Sequence, residues 1–196
     1  HAHPFENLKV LPLTHPALIR YLHERCIDME VATAVCEELH YDSNGKHYFG
    51  IGFPNSAGGY EIRNPFFKGC IAPKDISHFY AEEPKKVCLI FEGFMDFLSW
   101  QTLHPSSTCD AIVLNSLALL PRIQEKIKGY KQVESFLDND DAGRKSFEVL
   151  KQFYPQIIDG SVRYRTYKDL NEWLVAQSKV KEKQPLLPTT KRGIRR

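Results

Sequence analysis

Val87 to Phe91 is an unbroken apolar run, Val-Cys-Leu-Ile-Phe, ended by Glu92-Gly93. A run this short is a strand, and a strand apolar on both sides needs cover on both faces, as in a parallel sheet wrapped by helices. The segments after it repeat the theme. Helical periodicity over about Met95 to Leu103, Pro121 to Lys128, Ala142 to Phe153 and Leu170 to Ala176 alternates with strand-like runs at Ala111 to Leu114, Val133 to Leu137 and Val162 to Tyr167. Strict alternation predicts an α/β unit: a mostly parallel four-stranded sheet, Rossmann-like, flanked by helices. Such sheets bind ligands beyond the C-terminal ends of their strands.

The preceding part reads differently. Thr14 is placed to cap a helix over His15 to Arg25, with Ala17, Leu18, Tyr21 and Leu22 on one stripe. Asp28 is placed to cap a second, with Val31, Ala32 and Val35 inward. The period then shortens to two. Leu39 to Tyr41 and His47 to Phe53 read as strands around the turn Ser43-Asn44-Gly45. After a turn at Asn55 to Gly59, Tyr60 to Arg63 and Phe66 to Ile71 continue the sheet. His1 to Pro12 shows no period and is expected to be a linker. The charged, Pro-containing stretch Glu82-Glu83-Pro84-Lys85-Lys86 is the best boundary. The expected division is a small α+β subdomain over residues 1–82, the α/β domain over 83–176 and a basic tail over 177–196.

No apolar run approaches the roughly 18 residues of a membrane span, no secretory signal is read at the start, and a cytoplasmic protein without a membrane partner is expected. The sequence opens at His1 without an initiator Met, as expected of a fragment or processed chain; His1 and His3 read as a remnant rather than a metal site. The five cysteines form no CxxC pair, so no structural zinc site is expected, and reduced thiols fit a cytosolic chain. The net charge of +2 conceals an asymmetry. Residues 177–196 carry seven Lys and Arg against Glu182 alone, a net of +6, which leaves the rest at −4. A basic tail on an acidic body suits an enzyme that meets nucleic acid while its acids hold cations.

The acids fall at the predicted strand ends. Glu92 directly follows the first strand, and Asp96 lies four residues on. Asp138 and Asp140 follow the third strand; if the chain is still extended there, residues two apart point the same way. Gly93 is expected to allow a sharp exit, Asp141 to cap the next helix, and Gly143 to let that helix pack closely. Asp169 follows the predicted fourth strand. Alone, Asp96 or Glu172 reads as a solvated or helix-capping acid. Together the set crowds carboxylates that repel unless a cation sits among them, and Mg²⁺ commonly takes one or two carboxylates plus phosphate oxygens.

Three of these segments resemble a known family. Glu92-Gly93-Phe94-Met95-Asp96 resembles the first motif of Toprim domains, and Asp138-Asn139-Asp140-Asp141-Ala142-Gly143 their DxDxAG motif. Lys168-Asp169-Leu170-Asn171-Glu172 resembles the third motif of DnaG-type bacterial primases. The likeness covers about Lys85 to Ala176. Upstream, Tyr21 to Ile27, Gly58 to Arg63 and Ala72 to Ser77 resemble the N-terminal part of the primase catalytic core, above all in primase-like proteins of bacterial mobile elements. After the second strand such primases carry Gly-Thr, where this chain has Asn115-Ser116-Leu117.

The resemblance implies Mg²⁺ or Mn²⁺ held by Glu92, Asp138 and Asp140, with Asp96 and Asp169 in support and Glu92 as general base. It implies Arg63, Lys68, Lys74 and Lys168 as nucleotide- or nucleic-acid-binding cations. The implied activity is synthesis of short RNA primers on single-stranded DNA from nucleoside triphosphates, in the company of a helicase or other replication or mobilisation proteins. The alternatives are a Toprim nuclease and a non-catalytic nucleic-acid-binding module of a mobilisation protein; a topoisomerase would need a further tyrosine-bearing domain. The aromatics Tyr48, Phe49, Phe53, Tyr60, Phe66 and Phe67 interleave with Lys46, Arg63 and Lys68, a pattern that can stack bases but more often builds core. For the tail, deleting residues 177–196 should flatten the dependence of log K for DNA on log salt. The expected change is roughly 0.7 per lost phosphate contact on single strands, and an unchanged slope would make the tail a solvated end.

Overall fold

The computed structural model describes residues 5–81 and 86–183. His1, His3, the boundary segment from Glu82 to Lys85 and the tail beyond residue 183 lie outside the described residues.

The first sheet is an antiparallel meander of β1 (Glu6–Leu11), β2 (Glu37–Ser43), β3 (Lys46–Pro54), β4 (Tyr60–Asn64) and β5 (Phe67–Ile71), in that spatial order. α1 (Pro16–Glu24) and α2 (Met29–Val35) pack on it. The expected linker is thus an edge strand from Glu6 onward. All six residues of β1 are exposed, so no two-residue alternation could mark it. The cap of α1 also differs. His15 holds that position, its Nδ1 accepting from the Ala17 N–H at 3.2 Å, and Ala17 is exposed while Leu18, Tyr21 and Leu22 are buried. Asp28 caps α2 as its sequence suggests, accepting from the Glu30 N–H at 2.7 Å.

The second sheet has the order β10-β9-β7-β8-β6. Its four parallel strands are β7 (Val87–Phe91), β8 (Asp110–Val113), β9 (Gln132–Phe136) and β10 (Ile158–Asp159), and β6 (Ser77–Phe79) adds an antiparallel edge on β8. The helices are α3 (Phe94–Leu103), the short α4 (Gln124–Ile127), α5 (Asp141–Phe153) and α6 (Leu170–Lys183). Two expectations shift. The segment over Pro121 to Lys128 is a 3₁₀ turn over Leu117–Ile123 running into α4. Val162 to Tyr167 is not a strand: Gly160–Tyr164 is a 3₁₀ turn, and the fourth strand is Ile158–Asp159 just before it. Asp159 Oδ1 accepts from the Ser161 N–H at 2.9 Å, which turns the chain there, and Val162 is 58% exposed.

One aromatic core joins the two sheets. Phe53 of β3 stacks on Phe94 (centroids 5.0 Å apart) and lies 5.5 Å from Phe79, which in turn stacks on Phe97 at 4.7 Å. Phe91 stacks on Phe136 at 5.1 Å. Leu18, Leu22 and Ile51 belong to the same buried cluster as Leu89, Val113 and Phe136. Each aromatic residue buried this way stabilises by about 1.5–3 kcal/mol. Among the described residues, no helix is long and apolar enough to cross a membrane.

On the inner face of the first sheet, Glu38 ties β2 to the start of α1. Its carboxylate accepts from the Thr14 and His15 N–H groups at 3.0 and 2.6 Å and meets His40 Nε2 at 2.6 Å. Burial acts to raise the Glu38 carboxyl, but the hydrogen bonds from His40, Thr14 and His15 outweigh it and hold it below the usual range. A lowered folded-state pKa contributes stability above the unfolded value, lost as pH falls through the folded one. Glu38→Gln should therefore cost about 1.5–3 kcal/mol at neutral pH, read by denaturant unfolding. The gap to wild type should narrow in acid; a pH-independent gap would show that charge is not what Glu38 contributes.

Candidate active site

The first acid follows directly from the strand pattern. β7 ends at Phe91, and Glu92 leaves its C-terminal end with its Oε2 accepting from the Asp138 N–H at 3.2 Å. Gly93 then caps α3 with φ −133°, an extended value that any residue adopts, and a Cβ there would meet nothing within 4 Å. The glycine therefore leaves open space beside Glu92 rather than permitting a sharp bend. Asp96, in the first turn of α3, is buried and reaches across to the start of α6, where its Oδ1 accepts from the Asn171 N–H at 3.1 Å.

The second acidic segment is a loop wrapped around a helix start. The residue capping α5 is Asp140, not Asp141: its Oδ1 accepts from the Gly143 N–H at 2.9 Å, while exposed Asp141 pairs with Arg144. A Cβ on Gly143 would sit 2.1 Å from the Asp138 carbonyl oxygen, so only glycine lets the helix close on the loop. Asn139 fixes the loop against the third motif. Its N–H donates to the Lys168 carbonyl at 2.7 Å, and its Nδ2 donates to the Tyr164 and Tyr167 carbonyls, each at 3.0 Å.

Asp169 stands on a turn after the 3₁₀ segment and caps α6, its Oδ1 accepting from the Glu172 N–H at 2.7 Å. Glu172 reaches back in turn, accepting at 2.6 Å from the N–H of Lys168, the residue before the cap. Asn171 is fully buried, donating from Nδ2 to the Arg25 carbonyl at 2.9 Å and to Ser99 Oγ at 2.8 Å. Lys168 Nζ lies 3.4 Å from Asp138 Oδ2.

Between the sheets opens a cleft of about 460 Å³. Glu92, Asp96, Asp138, Lys168 and Asp169 line one wall, and Arg63, Lys68 and Lys74, with Glu61, line the other. Lys74 Nζ sits 3.4 Å from Glu61. Of the nine singled-out residues, eight line this cleft; Asp140, turned to its capping bond, does not. Sequence reasoning missed Asn115, Asn139 and Asn171, which fix the walls. Asn115 takes φ +60° and donates to the Asp75 carbonyl at 2.9 Å and Ser77 Oγ at 3.0 Å, holding down the loop that carries Lys74. Asn is enriched among the non-glycine residues that adopt this left-handed conformation, so an Asn directly after the second strand was the available signal.

The acids are under electrostatic tension. Burial, then the charges of Asp169 and Asp138, holds the Asp96 carboxyl well above its usual range. Burial and Asp138 raise Glu92, opposed by the Asp138 N–H and by Lys68. Burial and Asp169 raise Asp138, opposed by Lys168. Among the described residues, no three His, Cys, Asp or Glu side chains gather tightly enough to hold an ion by themselves. The open pair Glu92 and Asp138, beside the space left by Gly93, instead suits a cation that completes its shell with water and phosphate oxygens, as Mg²⁺ commonly does.

A Toprim-like family model matches residues 89–174, and a domain of unknown function (DUF8464) matches residues 7–72. No curated protein matches the chain significantly. The fold is similar to the primase fragment of the bacteriophage T7 primase-helicase protein at TM-score 0.63 and 15% identity, over 92% of this chain and 79% of that one. It is similar to a chain in the complex of bacteriophage T7 lagging-strand DNA polymerase with primase domains of two gp4 subunits bound to an RNA/DNA hybrid and dTTP. There the TM-score is 0.54 and the identity 16%, over 79% and 80% of the chains. The zinc-binding and RNA polymerase domains of the Aquifex aeolicus primase match at TM-score 0.58 and 16% identity, over 88% of this chain and 56% of that one. Residues 89–174 are thus a Toprim-like domain, and the chain has a primase-like fold.

A carboxyl with a raised folded-state pKa binds its proton more tightly when folded, so stability falls as pH rises from the ordinary carboxylate range through the raised values. The metal-free protein should lose Tm across that window, and Mg²⁺ or Mn²⁺ should restore it at neutral pH. Asp96→Asn keeps an oxygen for the Asn171 N–H and removes a charge. It should raise the metal-free Tm by about 2–4 °C for each kcal/mol of repulsion relieved. Calorimetric titration with Mn²⁺ should show binding that disappears in Asp138→Asn/Asp140→Asn; equal affinity in that variant would sink the metal assignment.

Proposed function

We propose that this chain, a Toprim-like domain joined to a small sheet in a primase-like fold, is a metal-dependent nucleotidyltransferase that makes short RNA primers on single-stranded DNA. One observation carries the reading. The acids of the parallel sheet face Arg63, Lys68 and Lys74 of the antiparallel sheet across a single cleft. An acid cluster alone would serve hydrolysis by water. A facing wall of three cations adds what polymerisation needs, a seat for a triphosphate beside the acids.

The chain's own groups divide the work. Arg63, Lys68 and Lys74 bind phosphate oxygens, Lys74 exchanging its contact with Glu61 for the incoming charge. Glu92, with its proton affinity raised by burial and by Asp138, takes the proton from the attacking 3′-hydroxyl. Lys168 balances Asp138 and orients its carboxylate. Mg²⁺ or Mn²⁺, held by Glu92 and Asp138 with Asp140 close by, would neutralise the charge developing on the phosphoryl group in an in-line displacement. Asp96 and Asp169 set the geometry from the start of α6. The similar T7 primase domains are described with an RNA/DNA hybrid and dTTP, and the T7 protein as a primase-helicase, which supports a template strand, nucleotides and a helicase as partners here.

Arg63→Ala and Lys74→Ala should each lower ribonucleotide incorporation on single-stranded DNA by about 100-fold or more, since positioning supplies most of this catalysis. Their Tm values should stay close to wild type, because neither side chain is core. The assay uses the full-length protein with Mg²⁺ or Mn²⁺. A protein that cuts nucleic acid with Mn²⁺, makes no primers and is indifferent to both substitutions would be a Toprim nuclease instead.

A further inference from the structure

The tip of the β4–β5 hairpin is the Pro65-Phe66 turn, and Phe66 is 97% exposed. Turn positions favour Gly, Asn, Asp or Ser, and a phenylalanine in water contributes nothing to folding. The tip is nevertheless held firmly. Asn64 Oδ1 accepts from the Phe66 N–H at 2.9 Å, and Asn64 Nδ2 donates to the Phe49 carbonyl at 2.9 Å, tying the turn to β3. The next aromatic, Phe67, is 42% exposed, and its ring lies over Gly69, where a Cβ would meet ring carbons at 2.5 and 2.7 Å. Gly69 thus gives the Phe67 ring a seat against its own strand.

One register step behind these rings, Arg63 and Lys68 face each other as a cross-strand pair, and both line the cleft. Phe67, adjacent to Lys68 in the strand, turns to the other face of the sheet, so the hairpin carries cations into the cleft and one unshielded ring, Phe66, at its tip. That juxtaposition matches a polynucleotide, with charged phosphates and flat bases in alternation, better than an apolar protein surface. We infer that Phe66 is a base-stacking platform for a single strand entering the cleft, its phosphates meeting Arg63 and Lys68. The inference rests on the nucleic-acid reading above and adds the element that grips the strand. Base–aromatic stacking tolerates any sequence, since every base presents a π face.

The test is equilibrium binding of a fluorescent deoxythymidine oligonucleotide to the full chain, without turnover. Phe66→Ala should weaken binding by roughly 5- to 150-fold, the range for loss of one stacked base, with the slope of log K against log salt unchanged. Lys68→Ala should instead flatten that slope by about 0.7. Phe66→Trp should bind as wild type, and Val162→Ala, an exposed apolar side chain elsewhere, should have no effect. An oligonucleotide with an abasic position against the platform should bind wild type and Phe66→Ala alike. Equal affinity of wild type and Phe66→Ala for the intact strand overturns the proposal, as does weakened nucleotide binding with strand binding intact. A chain that grips strands through Phe66 yet makes no primers supports this platform while overturning the proposed catalysis.

Discussion

The stacking of Phe53 on Phe94 decides the geometry of everything else. Phe53 belongs to the antiparallel sheet, and Phe94 is the first residue of the helix that follows Glu92. Because Phe79 and Phe97 complete the contact, the two sheets share one core instead of meeting across a wet interface. The consequence is positional. Two registers along from Phe53, Ile51 pairs with Arg63, which leaves the seam on the cleft side, and Glu92 leaves it from the other sheet. Cations and acids are thereby held opposite each other by packing that neither set supplies.

Packing sets the distance, and the acids divide into two kinds. Asp96, Asp140 and Asp169 hold the first turns of α5 and α6, where helix N–H groups and the macrodipole favour negative charge. Glu92 and Asp138 face open cleft, with Lys168 and Lys68 the nearest positive charges. Helix starts thus offset part of the cost of gathering five carboxylates. The remainder shows as raised proton affinity on Glu92, Asp96 and Asp138, the state in which an incoming cation gains most.

Much of this could be read from the sequence where burial imposes a pattern. Val87 to Phe91 is apolar because both faces are covered, and Glu92 sits at its end because a parallel sheet presents that end. Where burial is absent or the element is tiny, the pattern fails. β1 is exposed along its whole length, and β10 is two residues long, so the next apolar stretch, Val162 to Tyr167, looks like the strand it is not. β6 is three residues long and pairs with β8 from outside the α/β alternation. Glu92, Asp138 and Asp140 were visible as residues at strand ends, but which of the acids cap helices was not, because capping depends on where the helix starts to within one residue.

The residues that sequence reading passed over are mostly asparagines, and electrostatics gives a reason for the type. Asn55, Asn115, Asn139 and Asn171 each bridge loops from different elements: Asn55 donates to the Pro73 carbonyl at 2.8 Å, and the others reach Asp75, Tyr167 and Arg25. Their amide nitrogens donate to backbone carbonyls of the loops that build the cleft. A carboxylate could not donate to those carbonyls and would add charge to a cluster already strained by it; a lysine or arginine could donate, but would compete with an incoming cation for the same acids. A neutral amide fixes the loops at no electrostatic cost and leaves the charge balance to the groups that line the cleft. Asn115 carries this furthest, since one residue supplies the left-handed backbone turn and the bracket on the Lys74 loop together. A glycine there would keep the turn and lose the bracket, so the position of Lys74 opposite Glu92 depends on a side chain that itself carries no charge.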